Sequence, residues 1–180
     1  MDYSRRILAI DAGYTCMGFA VYDIKLGGWV ECGTIETKKS HVRQHIRAAD
    51  DHARRCGLLM DGLMKISRVS AVVCELPTGG TKNARAASCM ASASAVVASY
   101  VRSKRLPVEW TTPRQGKLAL AGRVGARKVE MIEAAMQIAP NLDWPPAKFR
   151  REAIADAMAS LISCWDGQMV RMMRPGVPSS

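Results

Sequence analysis

Short apolar runs near the N-terminus predict three strands. The run RILAID over residues 6–11 is apolar and ends in an acid, and a second run follows over residues 17–22. The pair Gly27-Gly28 then favours a hairpin turn into a third run over residues 29–35. The pattern therefore predicts three consecutive antiparallel strands.

Helical and strand patterns alternate in the middle of the chain. Apolar residues recur every three or four positions over residues 41–66, with Arg and Asp between them, which predicts an amphipathic helix. Residues 69–75 form a nearly continuous, β-branched run that ends in an acid and is typical of a buried central strand. Residues 81–101, rich in Ala, Ser and Met, predict a second helix, and residues 107–112 a further strand.

Two more helices are predicted in the C-terminal part. Residues 125–138 have helical apolar spacing, and a proline cluster separates them from a last helix over residues 148–165. Residues 1–165 are expected to form one domain and residues 166–180 a flexible tail. This order predicts an α/β fold, with a mixed five-stranded sheet that carries helices on both faces.

Composition and charge indicate the class of partner. The chain has 180 residues, 48% of them hydrophobic, which suits one compact domain and argues against a large two-domain enzyme. Its net charge is +10, and residues 76–128 contribute +9 of this with ten basic residues and one acid. Such a concentrated positive segment favours a polyanionic partner.

The cysteines and apolar runs indicate a compartment. The six cysteines form no C-x-x-C pair, which argues against a zinc finger and against a disulfide framework. No apolar run has the roughly 20 residues of a membrane span, and the N-terminal run is too short for a secretory signal. We therefore expect a reducing cytoplasm and no membrane association.

Carboxylates at the ends of two predicted strands suggest a chemical site. Asp11 and Glu75 each follow an apolar strand, and Glu152 and Asp156 lie one turn apart on the last helix. If the two strands are adjacent and parallel, their ends bring Asp11 and Glu75 together, and a helix packed beside them adds Asp156. Three carboxylates would then meet.

A single acid after a strand is more often a turn or capping residue than a metal ligand. Here Glu75 ends an apolar strand, where burial without a partner is costly, and Asp156 lies among apolar residues. Clustered carboxylates either hold a proton or bind divalent cations, and Mg²⁺ with carboxylate ligands and water suits attack on a phosphodiester. Acids beside a basic segment predict a nuclease.

Five segments resemble the RuvC-type resolvases, in order and at fitting spacing. RILAIDAGYTCMGFAVYD resembles the opening of that family, VVCELP its second acidic strand, and EAIADAMASLISC its final helix. TGGTKNARAASCMASASAVV is similar to its central helix, and TPRQGKLALAGRVGARKVEM to its lysine-bearing stretch. The resemblance runs from Arg6 to about Trp165 and is closest in pattern to compact phage members.

The resemblance implies an RNase H-like nuclease domain that acts as a homodimer in a bacterial or phage-infected host cytoplasm. It implies nicking of four-way (Holliday) junctions, and of other branched DNA, with two Mg²⁺ ions per site for which Mn²⁺ can substitute. Asp11, Glu75 and Asp156 match the metal ligands. Lys117 and Lys128 match basic positions near the scissile phosphate and complete the predicted catalytic set. Residues expected to contact DNA are Lys82, Arg85, Arg114, Lys117, Arg123, Arg127 and Lys128.

Two positions depart from the family pattern. The fourth acid of the family lies three residues before the last Asp, where this chain has Ala153, and Glu152 is the expected substitute. Bacterial members place a stacking aromatic residue after the second acid, where this chain has Leu76 and then Pro, Thr and two Gly. We expect other groups to distort the junction and the sequence preference to be relaxed.

Other functions are weighed against the nuclease. A non-cleaving protein that binds branched DNA is the alternative, because the fourth ligand is displaced. The opening motif also occurs in actin-like and sugar-kinase ATPases, but those need a second lobe and a second phosphate loop. Histidines at 41, 45 and 52 share a helix side and could bind zinc, although nearby arginines favour a solvated helix edge.

Overall fold

Five strands form one mixed sheet, in the order β3-β2-β1-β4-β5. The structure is a computed structural model that describes residues 5–40, 45–66, 68–76 and 83–174. The strands β1, β2 and β3 are antiparallel neighbours, whereas β1, β4 and β5 run parallel. The strands are β1 Arg6–Asp11, β2 Cys16–Asp23, β3 Gly28–Glu36, β4 Ala71–Glu75 and β5 Val108–Thr111. The predicted mixed five-stranded sheet is confirmed.

Helices cover both faces of this sheet, as predicted. The first two pack on one face, around the buried side chains of Leu59, Leu63 and Tyr100. The third, fourth and fifth lie on the other face, where the fifth contacts all five strands and both of its helical neighbours. The helices are α1 His45–Lys65, α2 Ala84–Lys104, α3 Pro113–Ala121, α4 Lys128–Ile138, α5 Lys148–Ser163 and α6 Gln168–Met173.

The register of the two central strands decides where their acids lie. In the parallel β1–β4 pair, Asp11 lies directly opposite Glu75. Their predecessors Ile10 and Cys74 belong to the core on the α1 and α2 side. Because successive side chains of a strand point to opposite faces, Asp11 and Glu75 point to the α5 side.

Helix α5 lies very close to the sheet at a glycine. A Cβ atom added to Gly18 of β2 would lie 2.0 Å from the carbonyl oxygen of Ala153, so only a glycine leaves room for the helix backbone there. Gly18 is also the β2 partner of Asp11. This contact therefore sets the height of α5 above the strand that carries the first acid.

Two helices were not predicted. Helix α3 begins with Thr112, whose side chain accepts from the Gln115 amide in a capping box, and ends at Gly122 with φ 72°. Together with Pro113 at the first helical position, these are recognisable sequence signals. The expectation of a flexible tail from Asp166 is wrong for residues 168–173. These residues form α6, and its Val170 is fully buried in a core cluster.

The structure also bears on the state of the cysteines and on membrane-spanning helices. All six cysteines are free thiols. In the part of the chain that the structure describes, no helix combines the length and apolarity needed to cross a bilayer. Lys82 and His41 lie outside the described residues.

We expect the substitution Gly18→Ala to lower the free energy of unfolding by about 1–3 kcal/mol, because the added methyl collides with the backbone of Ala153. Urea denaturation measures the change. Gly28→Ala in β3 is the matched control, since nothing lies within 4 Å of its added Cβ atom, and it should change stability by less than about 0.5 kcal/mol. Equal losses in both variants would contradict the close approach of α5.

Candidate active site

Three of the four predicted acids come together at the carboxyl ends of β1 and β4. Asp11 and Glu75 are neighbours in the sheet, and Asp156 reaches them from α5. The charge of Asp156 acts on both strand acids. The residues around Asp156 on this helix are mostly buried, and three of them are alanines at most 6% exposed: Ala153, Ala155 and Ala157. These alanines let the helix bring a carboxylate against the sheet.

Burial and mutual repulsion make these carboxylates unusually basic. Burial, reinforced by the charge of Asp156 and opposed by that of Lys128, raises the pKa of Asp11 to about 7. Burial, with the charges of Asp11 and Asp156, raises the pKa of Glu75 to about 8, although Lys117 opposes the shift. Burial also raises the pKa of Asp156 to about 6, against Lys128 and Lys117.

This donor set suits a divalent cation. Carboxylate oxygens are the ligands that Mg²⁺ and Mn²⁺ take in proteins, and a cation removes the repulsion that raises these pKa values. Within the described residues, no three His, Cys, Asp or Glu side chains are already gathered as a metal shell. The fit therefore rests on the chemistry of the three acids and their shared position.

Glu152, the expected fourth ligand, has a different partner. It lies one turn before Asp156, and its Oε2 atom accepts a hydrogen bond from Nζ of Lys128 at 2.6 Å. Ala153, at the position of the family's acid, packs against Gly18. The structure thus places Glu152 at the edge of the cluster, where it is neutralised by one of the two predicted catalytic lysines.

Lys117 lies near the acids without such a pair. It is on α3, which packs against α5 through Gly116 and Ala159. Its charge lowers the pKa values of Glu75 and Asp156, yet no described carboxylate lies within ion-pair distance of its amine. The structure therefore separates the two predicted lysines into one paired and one unpaired cation.

The other predicted DNA contacts are distributed over three elements. Arg85 is exposed in the first turn of α2, and Arg114 is exposed at the start of α3. Arg123 and Arg127 are exposed beside α4 but both bind the carboxylate of Glu130.

A partly buried polar network beside Tyr14 was not predicted. His52 bonds both Tyr14 and Ser92, at 2.8 Å each, so the interpretation of this histidine as part of a solvated helix edge is wrong. The guanidinium of Arg55 stacks on the Tyr14 ring, 4.1 Å from its centroid. The sequence offers no signal for this network, because its members are far apart along the chain.

Comparisons with known proteins agree with this architecture. No protein-family model matches the sequence. The crossover junction endodeoxyribonuclease RuvC of Prochlorococcus marinus (strain MIT 9313) is 30% identical over 162 residues, covering 89% of this chain and 97% of the relative. RuvC of Synechococcus sp. (strain CC9605) is 30% identical over 168 residues, with the same coverage of both chains.

Solved structures share the fold. Thermus thermophilus RuvC in complex with a Holliday junction substrate has a TM-score of 0.68 and 21% identity, covering 94% of this chain and 97% of its own. The yeast mitochondrial Holliday junction resolvase Ydc2 has a TM-score of 0.62 and 11% identity, covering 94% and 83%. The sheet order and its acidic edge define an RNase H-like domain of the nuclease type. Given the identity to its relatives over most of both chains, this chain belongs to the RuvC family of crossover junction endodeoxyribonucleases.

The raised pKa values predict that the metal-free protein loses stability as the pH rises. Unfolded carboxyls ionise near pH 4, whereas Asp156, Asp11 and Glu75 have folded pKa values of about 6, 7 and 8. Between these limits the folded state binds more protons, so the free energy of unfolding falls from pH 5 to pH 8. We expect a loss of about 2 kcal/mol or more, since each tenfold change in proton affinity corresponds to about 1.4 kcal/mol.

Denaturation in EDTA at several pH values checks this expectation. Asp11→Asn should flatten the profile, whereas Glu133→Gln, which removes an exposed acid outside the cluster, should keep the slope of the wild type. Added Mg²⁺ should restore stability more at pH 8 than at pH 5. A flat wild-type profile would show that the acids do not share one site.

Proposed function

We propose that this chain is a metal-dependent, structure-selective endonuclease that resolves four-way DNA junctions and other branched DNA by paired nicking. The observation that carries the proposal is the meeting of Asp11, Glu75 and Asp156 at one edge of the sheet in a member of the RuvC family. The Thermus thermophilus neighbour was solved with a Holliday junction substrate, which supports the same substrate class here.

The acids have a direct role in the proposed reaction. Asp11, Glu75 and Asp156 would hold divalent ions, Mg²⁺ or Mn²⁺, two to a site, with Glu152 at the edge as a fourth ligand. Such ions supply Lewis-acid activation of water and of the leaving oxygen in phosphodiester hydrolysis. The carboxylates would hold the ions against α5, whose neighbouring alanines are buried.

The lysines have complementary roles. Lys117, unpaired among the described residues and close enough to act on Glu75, would offset the charge that develops on the phosphate. Lys128 donates to Glu152 and neutralises its charge. The exposed Arg85 and Arg114, with Arg123 and Arg127, would supply the surrounding positive surface for the DNA backbone, and Lys82 stays a predicted DNA contact.

The assembly and location of the protein follow from the same proposal. Paired nicks need two sites on opposite strands, and a homodimer supplies them by its two-fold symmetry. The free thiols suit a reducing cytoplasm, where junction DNA is found.

The Lys128–Glu152 pair favours a second candidate function. Because Glu152 binds a lysine in this structure, the fourth ligand is not in place, and a protein that binds branched DNA without cutting it would have the same features. The cleavage experiment below distinguishes the two functions.

We expect the wild-type protein with Mg²⁺ to introduce symmetric nicks into a synthetic four-way junction. Asp11→Asn and Glu75→Gln should abolish cutting and keep junction affinity within about threefold, because each removes a ligand and leaves the basic surface intact. Denaturing gels and equilibrium binding measure the two quantities. Tight binding without incision in Mg²⁺ or Mn²⁺ would establish the non-cleaving alternative, and equal cutting by all three proteins would contradict the acidic site.

Lys117→Gln should lower the single-turnover cleavage rate about 10²-fold, the usual cost of losing one group that stabilises transition-state charge. Junction affinity should fall much less, because the lysine acts mainly on the reacting phosphate. Lys65→Gln, at the far end of α1, is the matched control and should cut at the rate of the wild type. If weaker junction binding explained the whole loss of rate, Lys117 would be a DNA-binding residue and not a catalytic one.

A further inference from the structure

A cavity of about 470 Å³ opens beside the acidic edge, on the other face of the sheet. It lies between α1, α2 and the loops that follow β1 and β3. Its lining includes three cations, two serine hydroxyls and one histidine: Lys39, Arg55, Arg85, Ser40, Ser88 and His52. The catalytic proposal uses neither this cavity nor most of its residues.

Arg55 is the buried charge of this cavity. It is only 7% exposed, its Nε atom donates to Thr37 Oγ1 at 2.9 Å, and its Nη2 atom donates to Thr15 Oγ1 at 3.1 Å. None of the carboxylates that the structure describes pairs with its guanidinium, and both of its hydrogen-bond acceptors are neutral. A buried cation without a counter-ion is costly, so an anionic ligand would stabilise it.

The single acid of the cavity wall does not neutralise it. The carboxylate of Asp51 accepts hydrogen bonds from Arg54 at 2.6 Å and from the Ser40 amide at 3.3 Å. The Arg54 bond is the main reason that the pKa of Asp51 lies below its ordinary value. Since Asp51 already has a cation of its own, the charges of Lys39, Arg55 and Arg85 leave the cavity positive.

The wall behind these cations is a hydrogen-bonded group of side chains. Ser92 Oγ donates to the Ser88 carbonyl at 2.8 Å and lies 2.8 Å from Nε2 of His52. Nδ1 of His52 lies 2.8 Å from the Tyr14 hydroxyl, which also donates to the His52 carbonyl at 3.3 Å. These hydrogen bonds fix Tyr14, on which Arg55 stacks. They therefore hold the guanidinium of Arg55 in place before any ligand binds.

We infer that this cavity is a phosphate-binding site that takes a backbone phosphate of the DNA held at the acidic edge. The inference rests on the proposed function. The strands β1, β3 and β4 all end at this edge, so the cavity and the acids lie on its two faces. A DNA strand that passes from the acids across this edge of the sheet meets Lys39 and Arg85 at the rim of the cavity. Arg55 lies deeper inside the cavity. A small phosphate compound could use the same groups, and the experiments separate the two sources.

The first experiment measures junction binding in EDTA as a function of salt. The double variant Lys39→Gln/Arg85→Gln should lower the slope of log affinity against log salt by about 0.9 and weaken binding roughly tenfold at 0.1 M salt, the loss of one phosphate contact. Lys65→Gln/Lys104→Gln removes the same charge from the far ends of α1 and α2 and should match the wild type. Equal slopes in the wild type and both double variants overturn the inference.

The second experiment locates the phosphate. Junctions with one uncharged methylphosphonate at successive positions should reveal a position where the wild type loses affinity and the Lys39→Gln/Arg85→Gln protein loses none. If every position has the same effect in both proteins, no single phosphate occupies the cavity and the inference is wrong.

The third experiment tests inorganic phosphate as the ligand. Inorganic phosphate is titrated into the wild-type protein, and the ring resonances of His52 are followed by NMR. We expect these resonances to shift only when phosphate reaches millimolar concentration. Tight binding of free phosphate with an unchanged salt slope for DNA would make the cavity a small-molecule site and overturn the assignment to DNA. These binding outcomes do not depend on cutting, whereas failure of the wild type to bind any junction would contradict the proposed function itself.

Discussion

Repulsion between like charges at the end of two parallel strands is the constraint around which the structure is built. The β1–β4 register holds Asp11 and Glu75 side by side, and burial withholds the water that would screen them. Strand pairing and an apolar core supply the free energy that keeps them together, with Ile10 and Cys74 fully buried directly beneath. The rest of the protein provides charges and packing that make this arrangement tolerable.

Helix α5 supplies both packing and charge. Its alanines and the facing Gly18 allow a backbone approach that larger side chains would prevent, and the approach is what brings Asp156 to the strand acids. A third carboxylate increases the repulsion, which the opposing lysines reduce only in part because the pKa of Asp156 still lies at about 6. A divalent cation is the species that would satisfy all three acids at once.

The sequence predicted the sheet well because its signals are local. Apolar runs that end in an acid identified β1 and β4 and, with them, Asp11 and Glu75, while the Ala-rich surroundings of Asp156 marked a buried helix. Helix α3 has only nine residues, and its local signal is the Thr112 cap and Pro113 rather than an apolar stripe. The sequence missed α6 because its Gly- and Pro-rich surroundings concealed a short apolar stripe that only tertiary packing stabilises.

Contacts between distant segments explain what sequence reasoning could not reach. The pairing of Lys128 with Glu152 joins residues 24 positions apart, and no local pattern chooses it over a role for Glu152 among the acids. Arg55 likewise meets Tyr14 only through the fold. Its placement gives the two faces of one sheet edge opposite charge: carboxylates on the α5 face and a buried cation on the α1 and α2 face. A polyanion with bound cations would suit both faces, because its metal ions would meet the acids while its phosphates would meet the arginine.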